Sequence, residues 1–289
     1  MPAALMDGTT LARTIVDGAA DRAARFAALT GGPPCLATVL VGDDPASATY
    51  VRMKENRSRK AGIDSRHVDL PTTASTEMVV EAVAGLSEDP TVHGILLQHP
   101  APPQVDERAA FEAIASAKDV DGVTMASFAA MALGGLGTGA GFASCTPGGI
   151  MRLLAHYDVP LSGAHAVVIG RSPILGKPVS MLLQGEDATV TMCHSRTRDL
   201  AGLVVQADVL VAAVGRPAFV PGDWLRPGVV VIDAGYNPGN VGDVDTAAAM
   251  DVASLLTPVP GGVGPMTIAV LLDQTVDAAF EQAELSAGA

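Results

Sequence analysis

The chain predicts an α/β fold of two domains, each a parallel sheet covered by helices. Short apolar runs that end in glycine or turn residues alternate with amphipathic, helix-length segments through most of the 289 residues. Apolar residues make up 48% of the chain and aromatics only 3%, so the cores are Val, Leu, Ala and Met, which suits strands buried on both faces. A charge-free stretch rich in glycine and small residues, 130–143, divides the alternation in two and is read as the connector.

Residues 7–30 carry Ala, Leu, Ile and Val at helical spacing and are closed by Gly31-Gly-Pro-Pro, which predicts one amphipathic helix. A buried strand is expected over 36–42, then a turn at Asp43-Asp-Pro-Ala-Ser and a helix over 49–61 stopped by Gly62. A strand over 65–70, a helix over 76–86 and a strand over 94–98 complete a βαβαβ rhythm. Pro100-Ala-Pro-Pro interrupts, and a helix follows over 107–117. Beyond the connector, helices are expected over 147–157, 177–184 and 199–206, and strands over 166–170, 189–193, 209–213 and 229–233. A final helix over 266–285 follows the loop 258–265.

Composition excludes several classes. A formal net charge of −13 argues against general nucleic-acid binding, because a phosphate backbone is repelled at long range. Apolar stretches are short and broken by Gly, Pro or charge, so no membrane span is predicted. The opening residues lack the basic start and apolar run of a signal peptide. Three widely spaced cysteines (Cys35, Cys145, Cys193) and histidines without ligand spacing predict neither a disulfide framework nor a metal site. A reducing, cytoplasmic compartment is expected.

Two segments suggest chemistry. In 166–178, strand leads through Gly170-Arg-Ser-Pro-Ile-Leu-Gly176 into helix, so the amides of Arg171 and Ser172 and the helix start can face a pyrophosphate. An ordinary βα turn would carry the same pattern. The next strand ends in His194-Ser-Arg-Thr197, without the acid that an NAD site places there for the ribose 2′-hydroxyl. Ser195 and Arg196, helped by Arg171, can instead donate to a 2′-phosphate, which favours NADP; the alternative is an exposed polar loop. The second segment is 51–60, which holds five basic residues (Arg52, Lys54, Arg57, Arg59, Lys60) in an acidic protein. Tyr50, Lys54 and Arg57 share one helical face, so a ring can stack a flat substrate beside an amine that carries a proton. A solvated basic face is the other reading. Gln98 ends a strand where open α/β sheets place ligand contacts, and Lys118-Asp-Val-Asp-Gly122 is a short acidic turn.

Together these pieces resemble the methylenetetrahydrofolate dehydrogenase/cyclohydrolase family. The matching stretches are Val41-Gly-Asp-Asp-Pro-Ala-Ser47, Tyr50-Val-x-x-Lys54, Gly94-Ile-Leu-Leu-Gln98, Lys118-Asp-Val-Asp-Gly122 and Cys145-Thr-Pro147. They continue as Gly170-Arg-Ser172, Cys193-His-Ser-Arg-Thr197, Ala212-Ala-Val-Gly215, Val231-Ile-Asp233, Gly242-Asp-Val-Asp245 and Thr257-Pro-Val-Pro-Gly-Gly-Val-Gly-Pro-Met-Thr267. All occur in family order.

The resemblance implies an N-terminal α/β substrate domain, 1–140, rejoined by the last helix, 266–289, and a Rossmann-like NADP-binding domain, 141–265. It implies folate in the cleft between the domains and a homodimer joined through the nucleotide domains. The implied reactions are NADP-dependent oxidation of methylenetetrahydrofolate and hydrolysis of the methenyl product to formyltetrahydrofolate. Lys54 would be the general acid/base of hydrolysis, held by Gln98, and a cationic substrate beside it would disfavour the ammonium form. Tyr50 would stack on the folate ring and Asp121 would accept from the pterin. Leu97 and His99 flank Gln98 in the implied substrate set, and Pro260, Gly261, Gly262, Val263 and Gly264 would line the substrate through their backbone. Gly170, Arg171, Ser172, Ser195 and Arg196 would hold NADP, with Tyr236 at the nicotinamide end.

Three stretches depart from the family pattern. Val123-Thr-Met-Ala-Ser127 stands where Phe-His-Pro-x-Asn is common, His99-Pro-Ala-Pro where Leu-Pro-Leu-Pro is common, and Tyr236 where Ile is frequent. The rival readings are a monofunctional dehydrogenase of the same fold, a non-catalytic nucleotide-binding paralogue and an unrelated NADP oxidoreductase. The presence of Tyr50, Lys54 and Gln98 together opposes the first.

Overall fold

The computed structural model describes residues 2–43, 54, 56–136 and 141–285. The chain divides into two compact units, one of Met1–Arg13 with Ser144–Val270 and the other of Thr14–Ala143 with Leu271–Ala289. In chain order the elements begin β1 (Ala4–Leu5), α1 (Gly8–Thr30), β2 (Cys35–Val41), helical residues 54 and 56–60 (α2), β3 (Asp64–Leu70), α3 (Thr76–Glu88) and β4 (Gly94–Leu97). They continue α4 (Glu107–Glu112), α5 (Met125–Leu133), α6 (Cys145–His156), β5 (His165–Ile169), α7 (Gly176–Gly185), β6 (Thr189–Cys193) and α8 (Leu200–Val204). Last come β7 (Val209–Ala212), β8 (Val230–Asp233), α9 (Thr246–Met250), β9 (Leu255–Leu256) and α10 (Val263–Gln282).

One unit is built on a three-stranded parallel sheet in the order β3-β2-β4. Every residue of β2 is buried, as its unbroken apolar sequence requires for a central strand. Phe26 of α1 meets the ring of Phe280 edge-on with centroids 5.3 Å apart, a favoured aromatic geometry. Arg22 pairs with both Asp273 and Asp277, and Gln282 donates through Nε2 to the carbonyls of His93 (2.7 Å) and Ala117 (3.0 Å). The part of α10 from Leu271 onward is thus an integral layer of this unit.

Two elements differ from expectation here. The predicted helix 107–117 stops at Glu112 and resumes as a 3-10 turn, Ser116–Lys118. The Ser87 hydroxyl causes the break: it donates to the Ala113 carbonyl (2.9 Å) and accepts from the Ala115 amide (3.0 Å), taking both out of a helical ladder. The predicted connector 130–143 begins as helix, because α5 runs to Leu133 and ends at Gly134 in the left-handed region. Small residues free of charge read as linker, but alanine is also the strongest helix former.

The other unit carries a six-stranded, fully parallel sheet in the order β1-β9-β8-β7-β5-β6. The chain leaves β5 for β6 on one side and returns to β7 on the other, so strand order reverses at β5, the arrangement of Rossmann-type sheets. The interior strands β5, β7 and β8 are buried almost throughout. β1 and β9 pair Ala4 with Leu255 and Leu5 with Leu256. This pairing draws residues 1–13, assigned from sequence to the first domain, into this unit. Helix α10 begins at Val263, three residues before its predicted start, so Val263 and Gly264 form its first turn rather than loop. Pro265 is tolerated there because the first turn's N–H groups lack intrahelical acceptors.

Candidate active site

The three-stranded unit places Lys54 and Gln98 together. Lys54 Nζ donates to Gln98 Oε1 at 2.9 Å, and Gln98 Nε2 donates to the His99 carbonyl at 2.7 Å, which fixes the amide orientation. Gln98 follows β4 directly and stays paired with the sheet through its N–H to the Val39 carbonyl (2.9 Å). Helix α2 ends in a glycine cap: the Gly62 amide reaches the Arg59 carbonyl (3.2 Å) and the Ile63 amide reaches that of Ser58 (3.0 Å). The wholly buried Ser58 donates its hydroxyl to the Lys54 carbonyl (3.0 Å) and ties the lysine's turn to the core. Both Lys54 and Gln98 are half-buried, Leu97 is buried in the strand, and His99 is half-buried beside Phe111. Tyr50 and the start of the predicted helix 49–61 lie outside the described residues. Arg57 is half-buried, and Arg59 and Lys60 are exposed.

The acidic turn 118–122 is more ordered than its sequence suggests. Lys118 is buried, its Nζ donating to the carbonyls of Leu86 (3.3 Å) and Asp89 (2.7 Å) at the end of α3. Asp119 is fully buried: Oδ1 accepts from the Val123 amide (3.0 Å), and Oδ2 from the Thr124 amide (2.9 Å) and the Ser127 hydroxyl (2.6 Å). The Val120 carbonyl accepts from Gln274 Nε2 at 2.8 Å. Between these buried residues Asp121 is half-exposed. The family resemblance points to Asp121 and gives Asp119 no role, since neighbouring acids in a turn look alike until their amide donors are known.

In the six-stranded unit the proposed cofactor residues stand on one sheet edge. Ile169 is in register with both Cys193 and Ala212, and Ala212 with Asp233, so β5, β6, β7 and β8 end in one row. Gly170, His194 and Ala234 directly follow those ends. Gly170 has φ 136°, and a Cβ there would lie 2.3 Å from the Ala213 carbonyl oxygen. At Gly176 a Cβ would lie 2.3 Å from the Gly170 carbonyl oxygen, so the turn closes on itself only with glycine at both positions. Ser172 Oγ accepts from the amides of Leu175 (3.1 Å) and Gly176 (3.3 Å), ordering the entry to α7, while Arg171 is exposed.

His194 shapes the next turn: its amide donates to Thr197 Oγ1 (2.8 Å) and its Nδ1 accepts from the Arg196 amide (3.1 Å). Ser195 and Arg196 are left exposed at its tip. Tyr236 is exposed, and its hydroxyl donates to Asn240 Oδ1 at 3.0 Å.

Two carboxylates that stand in the sequence only as members of matching motifs, Asp233 and Asp243, brace this edge. Asp243, fully buried, accepts from the successive amides of Val214 (2.6 Å), Gly215 (2.8 Å) and Arg216 (2.8 Å) and from Asn237 Nδ2 (3.1 Å). Asp233 accepts from the amides of Gly235, Asp243 and Val244, each at 2.9 Å, and burial pushes its pKa up despite those bonds. A Cβ at residue 242 would lie 2.0 Å from Asp233 Oδ2, which accounts for glycine in Gly242-Asp-Val-Asp245. The same unit holds the loop 258–265. Thr9 donates to the Gly261 carbonyl through its amide (3.1 Å) and hydroxyl (3.3 Å), and the Gly262 amide donates to Pro258 (2.8 Å). Pro260 and Gly264 are exposed, Gly261 is half-exposed, and Gly262 and Val263 are buried.

Comparison with known proteins matches both units. The model described as the tetrahydrofolate dehydrogenase/cyclohydrolase catalytic domain matches residues 6–121, and that described as the NAD(P)-binding domain matches 144–283. The chain is 68% identical over 280 residues to bifunctional protein FolD 1 of Streptomyces avermitilis, covering 97% of this chain and 96% of that protein. A solved structure of FolD methylenetetrahydrofolate dehydrogenase/cyclohydrolase from Campylobacter jejuni is similar at TM-score 0.93 and 38% identity, covering 96% of this chain and 99% of that one. The Trypanosoma brucei FolD, solved with NADP cofactor and inhibitor, is similar at TM-score 0.93 and 34% identity, covering 98% of this chain and 99% of that one.

Proposed function

Because the chain belongs to the tetrahydrofolate dehydrogenase/cyclohydrolase family, we propose that it oxidises 5,10-methylenetetrahydrofolate with NADP and hydrolyses the methenyl product to 10-formyltetrahydrofolate. The observation that carries the bifunctional reading is the 2.9 Å hydrogen bond from Lys54 Nζ to Gln98 Oε1. A dehydrogenase alone needs no proton carrier, whereas hydrolysis does.

Hydrolysis requires water to add to the methenyl carbon and lose a proton, after which the ring nitrogen gains one as its bond to that carbon breaks. Lys54 takes the first proton as a neutral amine and returns it as an ammonium. Gln98 offers Lys54 a dipole rather than a charge, so it orients the nitrogen without locking the proton on it. Asp121 accepts from the pterin's amino group and ring nitrogen, and Tyr50 stacks on the ring.

The residues at the edge of the six-stranded sheet fit a dinucleotide. Glycine is required at Gly170 and Gly176 by backbone closure, and the turn after β6 presents Ser195 and Arg196 with no acid. Gly170, Arg171 and Ser172 would hold the pyrophosphate, Ser195 and Arg196 the 2′-phosphate, and Tyr236 would lie towards the nicotinamide. When bound, NADP supplies the hydride acceptor. The reading includes a homodimer and a cytoplasmic location; the three free, buried cysteines accord with a reducing compartment.

The deciding assay gives purified protein methylenetetrahydrofolate and NADP and records NADPH and methenyl absorbance separately. Equal turnover without lasting methenyl accumulation is expected; absence of NADPH would refute the reading. Gln98→Glu places a carboxylate against Lys54, stabilises the ammonium and should move the acidic limb of the hydrolysis profile up by about 1–3 pH units. An unmoved limb would show that Gln98 does not act through Lys54. Arg57, Arg59 and Lys60 form a local positive field suited to the glutamate tail of folate. Neutralising all three should raise the folate KM more at low salt than at high salt. A salt-independent change would assign them to a solvated face.

A further inference from the structure

We propose that Asp119 and Ser127 are positioning residues that fix Asp121 for the folate, a role that rests on reading Asp121 as a substrate ligand. Asp119 is fully buried and cannot itself meet a substrate. Its carboxylate instead gathers the amides of Val123 and Thr124 and the hydroxyl of Ser127, so the chain folds back tightly just after Asp121. The Gly122 amide adds a fourth bond, to the Asp119 carbonyl at 3.0 Å.

The side of the turn before Asp121 is held as firmly. Lys118 is anchored on two carbonyls at the end of α3, and Val120 through its carbonyl on Gln274. In 118–124 every residue except Asp121 is buried. A half-exposed carboxylate on a turn fixed at both sides is preorganised, since little freedom remains to be lost when it meets a ligand.

This arrangement also accounts for the departure from the family pattern at 123–127. Two of the three groups on the Asp119 carboxylate are backbone amides, which Val123 and Thr124 supply as well as any residues would. Only the third depends on the side chain, and Ser127 retains a donor there. Thr124 Oγ1 accepts from the Ser127 amide at 3.2 Å as the cap of α5 and sets that hydroxyl in place. The altered segment thus preserves the bonding that the turn needs.

The test compares Ser127→Ala, Asp119→Asn and Asp121→Asn. Asp119→Asn keeps the shape but points an NH2 at a backbone N–H, because both oxygens accept from amides. Ser127→Ala removes one donor and disturbs folding least. Each positioning variant should raise the KM for methylenetetrahydrofolate about tenfold, with the KM for NADP within twofold of the parent. A variant that is merely less stable loses active fraction, which lowers apparent kcat and leaves KM alone; thermal unfolding of each variant records that loss separately. Asp121→Asn should raise the folate KM, and adding Ser127→Ala to it should raise it no further. If Asp121→Asn alone changes the folate KM, positioning is overturned while Asp121 stands as a ligand. If Asp121→Asn leaves the folate KM unchanged, the ligand reading falls and the positioning role with it.

Discussion

Lys54→Met should lower methenyltetrahydrofolate hydrolysis by about 10²–10⁴-fold, the usual contribution of a positioned acid/base group, and spare much of the dehydrogenase activity. Methionine keeps the length and apolar stem of lysine but cannot hold a proton. Hydride transfer depends on alignment of substrate and cofactor and draws on no protein base. Methenyltetrahydrofolate should therefore accumulate and be visible by its absorbance while NADPH continues to form. Hydrolysis at the parental rate would remove Lys54 from the chemistry. Equal loss of both activities would instead assign it to substrate binding.

Exchanging Ser195 for Asp and Arg196 for Ser should reverse cofactor preference. The parent protein should use NADP far more efficiently than NAD, because hydrogen bonds to charged groups each contribute about 1.5–3 kcal/mol, or roughly 10–150-fold. The double variant loses the guanidinium and gains a carboxylate that repels a 2′-phosphate and accepts from a 2′-hydroxyl. The ratio of kcat/KM for the two cofactors reads the outcome directly. Equal efficiency of the parent with NAD and NADP would refute the role of Ser195 and Arg196. The turn should survive the exchange, since His194 and Thr197 organise it and the bond from residue 196 uses only its backbone amide.

Elements with a strong period or an unbroken apolar run are legible in the sequence. The strand expected over 189–193 is Thr189–Cys193, and the helix expected over 7–30 is Gly8–Thr30. The two-residue strands β1 and β9 are not legible, because two residues carry no periodicity, and the partner of β1 lies some 250 positions away. The break after α4 depends on Ser87, a residue of another helix, so nothing local announces it. At the candidate site, the glycine turn at Gly170 and the acid-free turn that carries Ser195 and Arg196 are legible in the sequence. Asp119, Asp233 and Asp243 are not: their partners are amides that only the tertiary fold delivers. Lys54 and Gln98 stand 44 positions apart, and family resemblance rather than spacing joins them.

The pairing of β1 with β9 has a consequence for synthesis on the ribosome. Ala4 and Leu5 are made early but wait for Leu255 and Leu256 before they can take their place beside β9. The three-stranded unit likewise awaits Gln274 and Phe280, whose partners Val120 and Phe26 are made long before. Neither unit completes its packing until most of the chain has emerged, so the usual order of one domain folding before the next is translated does not hold here. A fragment cut at 144–270 would lack an edge strand and the bond of the Met6 amide to the Leu256 carbonyl. Its sheet edge would stay open to pairing with other chains until β1 covers it.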